Sequence, residues 1–227
     1  MAEYKSFTLS EVLISLVIIG IIAAITVPIM INQYQKVKVA NQVKKLYSTF
    51  NQAIRLAEAE NGQFSSWEYE NMEELFDKYI AKHINSIKIE RNMHVMGYFT
   101  NGVLFVFQDG SQAICGYATC AADRCETWER PYACLMSPSG TYGWNNLHAQ
   151  AAHSGYTKPT RQMFWFILHD DGTLTPPYME KSREENIELC KNPGYYGNGY
   201  TACSTLLMKD GWEIKSDYPW NITQTLN

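Results

Sequence analysis

Residues 12–31, VLISLVIIGIIAAITVPIMI, carry no charge, and Glu11 is the only charge between Lys5 and Lys36. Twenty such residues wound into a helix span roughly 30 Å, the thickness of a bilayer's hydrocarbon core. A plain membrane anchor is viable, whereas a cleaved secretory signal fits poorly. The apolar run is too long, the preceding MAEYKS has a single Lys, and no A-x-A site closes the segment. A membrane-spanning helix is therefore the primary constraint on the fold. Within it Glu11 is an anomaly, because a carboxylate in lipid is costly unless it lies near the interface or finds a partner.

The helical pattern does not stop with the apolar run. Val39, Val43, Leu46, Tyr47, Phe50, Ala53, Ile54 and Ala57 recur at gaps of three and four, the signature of one amphipathic face. Lys36, Lys38, Lys44, Lys45 and Arg55 occupy the other sides, and Asn61-Gly62 is a stop signal. One helix from Phe7 to Glu60 is expected, roughly 80 Å long at 1.5 Å per residue. Pro28 should kink or loosen it, because proline removes one bond of the helical ladder.

The six cysteines, Cys115, Cys120, Cys125, Cys134, Cys190 and Cys203, all fall in the second half of the chain. Their even number points to disulfides and an oxidising compartment, and the spacing lacks the close CxxC pairs of a zinc site. Fifteen pairings are open for six cysteines. Cys190 with Cys203 is the expected member of one pair.

The segment SFTLSEVLISLVIIGIIAAITVP resembles the N-terminal cleavage and methylation segment of type IV prepilins and type II secretion pseudopilins. The likeness rests on a short polar leader, the aromatic Phe7, Thr8-Leu9, Glu11 as fifth residue after the cut, and Pro28 as the twenty-second. Ser6 stands where the family usually has Gly. The resemblance implies that a prepilin peptidase cuts between Ser6 and Phe7 and that the new Phe7 amine is methylated. It also implies that Glu11 guides assembly, each new amine supplying the cation that a neighbouring Glu11 lacks. The leader's Lys5 is offset by Glu3, and Lys36 and Lys38 follow the span, so charge bias does not set the leader-in orientation. The motif and the exported cysteines set it instead.

The implied fold class is α+β. A long N-terminal helix, half in membrane and half amphipathic, packs on a small antiparallel sheet with disulfide-rich loops, the ladle of the pilins. The expected layout is a leader at 1–6, a transmembrane and assembly helix at 7–31, its amphipathic continuation at 32–61, and an extracytoplasmic domain at 62–227. Within that domain, residues 66–83 read as a short helix capped by Ser66. Asn101-Gly102 and Asp109-Gly110 read as hairpin turns, and MFWFILH as a central strand closed by Asp171-Gly172. Residues 116–160 have no clean period and read as an irregular insertion. The meander has about four strands on these signals.

Catalytic motifs are absent from the sequence: there is no HExxH, GxSxG, Walker A or GxGxxG. His148 and His153 lie in the expected insertion as loop residues. Asp170 and Asp171 are the calcium alternative, since some pseudopilins bind calcium in C-terminal loops, but an Asp pair before Gly172 is the ordinary composition of a turn. No metal and no cofactor is expected. A formal charge of −4 disfavours nucleic acid as partner.

The expected function is a non-enzymatic structural subunit, a pilin or pseudopilin, held in the bacterial inner membrane by a single pass. Its C-terminal domain lies in the periplasm or outside the cell. Implied partners are the prepilin peptidase, related pilins in a helical filament, and an assembly platform with its ATPase. The alternative is a membrane-anchored extracytoplasmic binding module or enzyme.

Overall fold

The computed structural model describes residues 8–95, 99–118, 132–138, 159–192 and 201–220. The chain divides into two units, Met1–Lys38 and Val39–Asn227. Helix α1 is continuous from Leu9 to Asn61. It ends where the sequence signals a stop: Gly62 adopts φ +82°, and its N–H bonds to the Glu58 carbonyl at 2.9 Å.

In the second unit, α1 is followed by a 3₁₀ turn, Phe64–Ser66, and by α2, Met72–Leu75. A π-turn over Phe76–Ile80 and a 3₁₀ turn over Ala81–His83 continue α2. The expected helix at 66–83 therefore starts later, and its cap is Asn71, whose side chain accepts from the Glu74 N–H at 3.0 Å. Trp67 is the reason. It turns inward, buried, with its indole N–H donated to the Gly62 carbonyl, so the chain from 67 to 70 stays non-helical.

Six antiparallel strands then follow in simple sequential order among the described residues. They are β1 Lys88–Val95, β2 Phe99–Val106, β3 Gln112–Ala118, β4 Tyr132–Ser137, β5 Phe164–Leu168 and β6 Leu174–Thr175. The short helix α3, Pro159–Gln162, precedes β5. After β6 come α4, Arg183–Lys191, and α5, Ala202–Lys209.

Three expectations are corrected here. The meander has six strands among the described residues rather than about four. Asn101-Gly102 is no hairpin turn: it lies inside β2, beside a register shift opposite Met93. Asn101 takes φ +50°, as Asn tolerates, so the local turn signal is used for a bulge. Residues 116–160 are not wholly an irregular insertion, since they include the end of β3 and all of β4. β4 hydrogen-bonds to β3 on one side and β5 on the other, and Ala133, Leu135 and Met136 are fully buried. A strand buried on both faces has no alternation to betray it. Helix α4 has no apolar period in the sequence; its start is a reciprocal capping box of Ser182 and Glu185, written as S-x-x-E.

The core lies between the C-terminal half of α1 and one face of the sheet. Ala40, Val43, Leu46, Phe50, Ala53, Ile54 and Ala57 are buried on α1. Phe50 meets Phe105 edge-on at 5.4 Å and Phe76 at 6.1 Å. Tyr47 packs against Phe166 and Trp212, each at 5.2 Å, and donates its hydroxyl to the Leu174 carbonyl. Lys45 reaches Asp109 in the β2–β3 turn at 2.9 Å. The other sheet face is buried too, through Leu104, Ile114, Leu135 and Trp165.

Among the described residues two disulfides join neighbours in this frame. Cys115 and Cys134 are cross-strand partners of β3 and β4, and Cys190 of α4 bonds Cys203 of α5. Cys120 and Cys125 lie outside the described residues.

The start of α4 and the end of α5, away from the Cys190–Cys203 bond, carry an ion-pair network. The buried Asp210 receives two hydrogen bonds from Arg183, at 2.6 and 2.8 Å, and an ion pair from Lys215 at 2.7 Å; Arg183 also grips Asp217. Burial by itself pushes the Asp210 carboxyl up, but the Arg183 and Lys215 bonds outweigh it and hold the group below the ordinary carboxylate range. A folded-state value below the unfolded one means that the contribution is complete above about pH 4 and is lost as pH falls through the lowered value. Asp210→Asn should therefore be less stable than wild type at pH 7 and show a smaller loss of urea midpoint on acidification. Equal acid sensitivity of the two proteins would refute this assignment.

Candidate functional site: the N-terminal segment

The N-terminal part of α1 shows what the lone acid does in a helix. Thr8 stands immediately before the helix, and both its N–H and its hydroxyl donate to Glu11 Oε2, each at 2.8 Å. In return the Glu11 N–H donates to Thr8 Oγ1 at 3.3 Å. This is a reciprocal capping box, T-x-x-E, which satisfies donors that a helix start leaves open. The carboxylate also faces the positive end of the helix dipole. Among the described residues Glu11 Oε1 accepts no hydrogen bond, so one oxygen orients the acid and the other remains open to a further donor.

Downstream, the apolar side chains have no protein to pack against. Leu13, Ile14, Leu16, Val17, Ile18, Ile19, Ile21, Ile22 and Ile25 are all exposed. Polar groups inside the run turn back on the helix: Ser15 donates to the Glu11 carbonyl at 2.8 Å and Thr26 to the Ile22 carbonyl at 2.9 Å. Both bonds hide hydroxyls that hydrocarbon could not solvate. By length and composition α1 can cross a membrane. Pro28 sits within it, and the helix continues through that position. Ser6 and Phe7 lie outside the described residues, as do His148 and His153.

The remaining sequence candidates are dispersed. Asp171 Oδ1 accepts from the Thr173 N–H at 2.9 Å and from its hydroxyl at 2.6 Å, which holds this carboxyl below its usual range. The Gly172 N–H bonds to the His169 carbonyl, and His169 and Thr173 pair through their backbones, so Asp170-Asp171-Gly172 is the β5–β6 turn. His169 Nε2 lies 2.6 Å from Thr175 Oγ1. Among the described residues no group of three or more His, Cys, Asp or Glu side chains is placed to hold a metal ion.

Residues 1–27, which hold this exposed apolar helix start and its one capping charge, match the model of the prokaryotic N-terminal methylation motif, a type IV prepilin-like signal. That motif marks pilin-like and pseudopilin-like substrates of prepilin peptidase. Residues 29–222, which take in nearly all of the globular unit, match a family of unknown function (DUF6613), and the chain belongs to that family. Neither the curated proteins nor the solved structures yielded a match.

Proposed function

We propose that the protein is a structural, non-enzymatic subunit that prepilin peptidase cuts between Ser6 and Phe7, that is then N-methylated on Phe7, and that assembles into a filament of the type IV pilus or type II secretion kind. The observation that carries this reading is the methylation motif over residues 1–27, joined to a helix whose exposed apolar surface holds one acid. Residues 1–6 are the leader, 7–31 the membrane and assembly segment, 32–61 its amphipathic continuation and 62–227 the extracytoplasmic domain. The subunit waits as a single-pass inner-membrane protein with that domain in the periplasm. An assembly platform and ATPase then move it into a bundle of like helices.

In that bundle Glu11 pairs with the Phe7 amine of a neighbouring subunit. Oppositely charged groups in a low-dielectric surrounding attract far more strongly than in water, so the pair selects one axial register between neighbours. The open Oε1 of Glu11 suits it to accept that amine while Oε2 stays on Thr8.

Maturation tests the reading. Intact-mass and N-terminal peptide analysis of protein from its native membranes should find a chain beginning at N-methylated Phe7. Cells lacking the prepilin peptidase should hold a chain beginning at Met1 or Ala2. An unprocessed N-terminus in both samples would reduce the segment to a plain membrane anchor.

A further inference from the structure

We infer that Lys36 and Lys38 form a collar just past the apolar run of α1 that binds anionic phospholipids through their headgroup phosphates. The lipids meant are those whose phosphate carries no offsetting amine. The inference rests on the reading of α1 as a membrane-spanning helix and does not depend on filament assembly.

Position comes first. The exposed apolar run ends at Ile31, and Asn32-Gln33-Tyr34-Gln35 follow without a charge. Tyr34 is 67% exposed, and a ring with a hydroxyl at its tip favours the boundary between membrane and water. Lys36 and Lys38 come next on the same continuous helix. At 1.5 Å per residue their Cα atoms lie about 7.5 and 10.5 Å beyond that of Ile31. The polar layer outside the hydrocarbon core is roughly 5–7 Å deep on each side. Helical side chains lean toward the N-terminus, so both long stems run back toward that layer and carry their ammonium groups to the depth of the phosphates.

Charge comes second. Between Glu11 and Glu58 the sequence holds no Asp or Glu, so nothing on this stretch of helix neutralises the two lysines. Among the described residues neither makes an ion pair, whereas Lys45, further along, is held by Asp109 at 2.9 Å. Lys38 is exposed and Lys36 partly so. They stand about 200° apart around the helix, so lipid is met on two sides. In the proposed orientation both lie outside the cytoplasm, where lysine does not help to set topology.

The same position selects the partner. Lipid phosphates stand beside this collar whenever the helix spans a bilayer, whereas an acid from another protein has to be brought there. A zwitterionic lipid offsets its own phosphate with an amine. A net-negative one does not, and each lysine at this depth favours it a few-fold. Such a collar fixes the depth of the helix until something draws it out of the bilayer.

The test is native mass spectrometry of the full chain from dodecyl maltoside micelles that contain equimolar phosphatidylglycerol and phosphatidylcholine with identical acyl chains. Phosphatidylglycerol adducts should outnumber phosphatidylcholine adducts severalfold. Lys36→Gln with Lys38→Gln should bring the two near parity. Lys44→Gln should leave the preference intact, because that exposed lysine lies about 20 Å beyond Ile31. Parity in the wild-type chain overturns the collar alone, as does a preference that survives the double substitution or is lost equally in Lys44→Gln. Displacement of the lipid by excess inorganic phosphate would make this a free-anion site and refute a lipid collar. A chain that stays dispersed without detergent overturns the collar and the membrane reading together.

Discussion

On the proposed filament reading, Glu11→Gln is expected to leave the protein in its membrane, cut and methylated, and to abolish filaments, with surface-sheared material falling to the level of cells without the assembly ATPase. The substitution keeps the size of the side chain and its ability to accept the Thr8 hydrogen bonds at Oε, so the helix start persists. It removes the charge. A neutral amide inserts into a bilayer more readily than a carboxylate, so membrane insertion does not suffer. Only the step that needs an anion opposite a new amine is lost. Membrane fractionation with N-terminal peptide analysis checks the first half of this outcome, and shearing with electron microscopy checks the second. Normal filaments in Glu11→Gln would overturn the pairing and leave Glu11 as a capping residue alone.

Phe50→Ala destabilises the globular unit by about 3–5 kcal/mol, the usual cost of emptying a fully buried aromatic site. Phe50 is 1% exposed and touches both the sheet, through Phe105, and the segment after α2, through Phe76. Its loss removes one edge-to-face contact on each side, and neither partner can shift far, because Phe76 and Phe105 also pack on each other at 5.2 Å. Urea unfolding of the full chain in micelles, followed by aromatic circular dichroism, measures the effect. A change below about 1 kcal/mol, the range of volume-tolerant surface sites, would mean that α1 is not the cover of this sheet. Leu56, exposed on the same helix, is the matched control and should tolerate alanine.

These two outcomes sit at opposite ends of one helix, and both ends are legible locally. An uncharged run broken by one acid, followed by apolar residues at gaps of three and four, specifies a helix without reference to anything distant. The capping boxes at Thr8–Glu11 and Ser182–Glu185 are equally local, since each closes within four residues. Helix α4 is less legible, because its few apolar positions, chiefly Ile187 and Cys190, give too short a stripe to register as a period.

Other features depended on partners far along the chain. Asn101-Gly102 has the composition of a turn, but pairing of β2 with both β1 and β3 keeps it in the sheet as a bulge. The strand β4 is recognisable only once β3 and β5 flank it. Cys115 and Cys134 are partners because antiparallel register sets them opposite each other, which cysteine spacing alone does not reveal.

By itself, then, the sequence determined the N-terminal helix, its apolar run long enough to cross a membrane, its lone acid and the stripe that meets the sheet, because helical hydrogen bonds and periodicity close within a few residues. The Cys190–Cys203 bond was expected from the sequence and is present. The tertiary structure alone decided strand order, the Cys115–Cys134 pairing and the ion-pair network of Arg183, Asp210 and Asp217, whose members meet only when distant segments are packed together, and contacts across such separations leave no local trace.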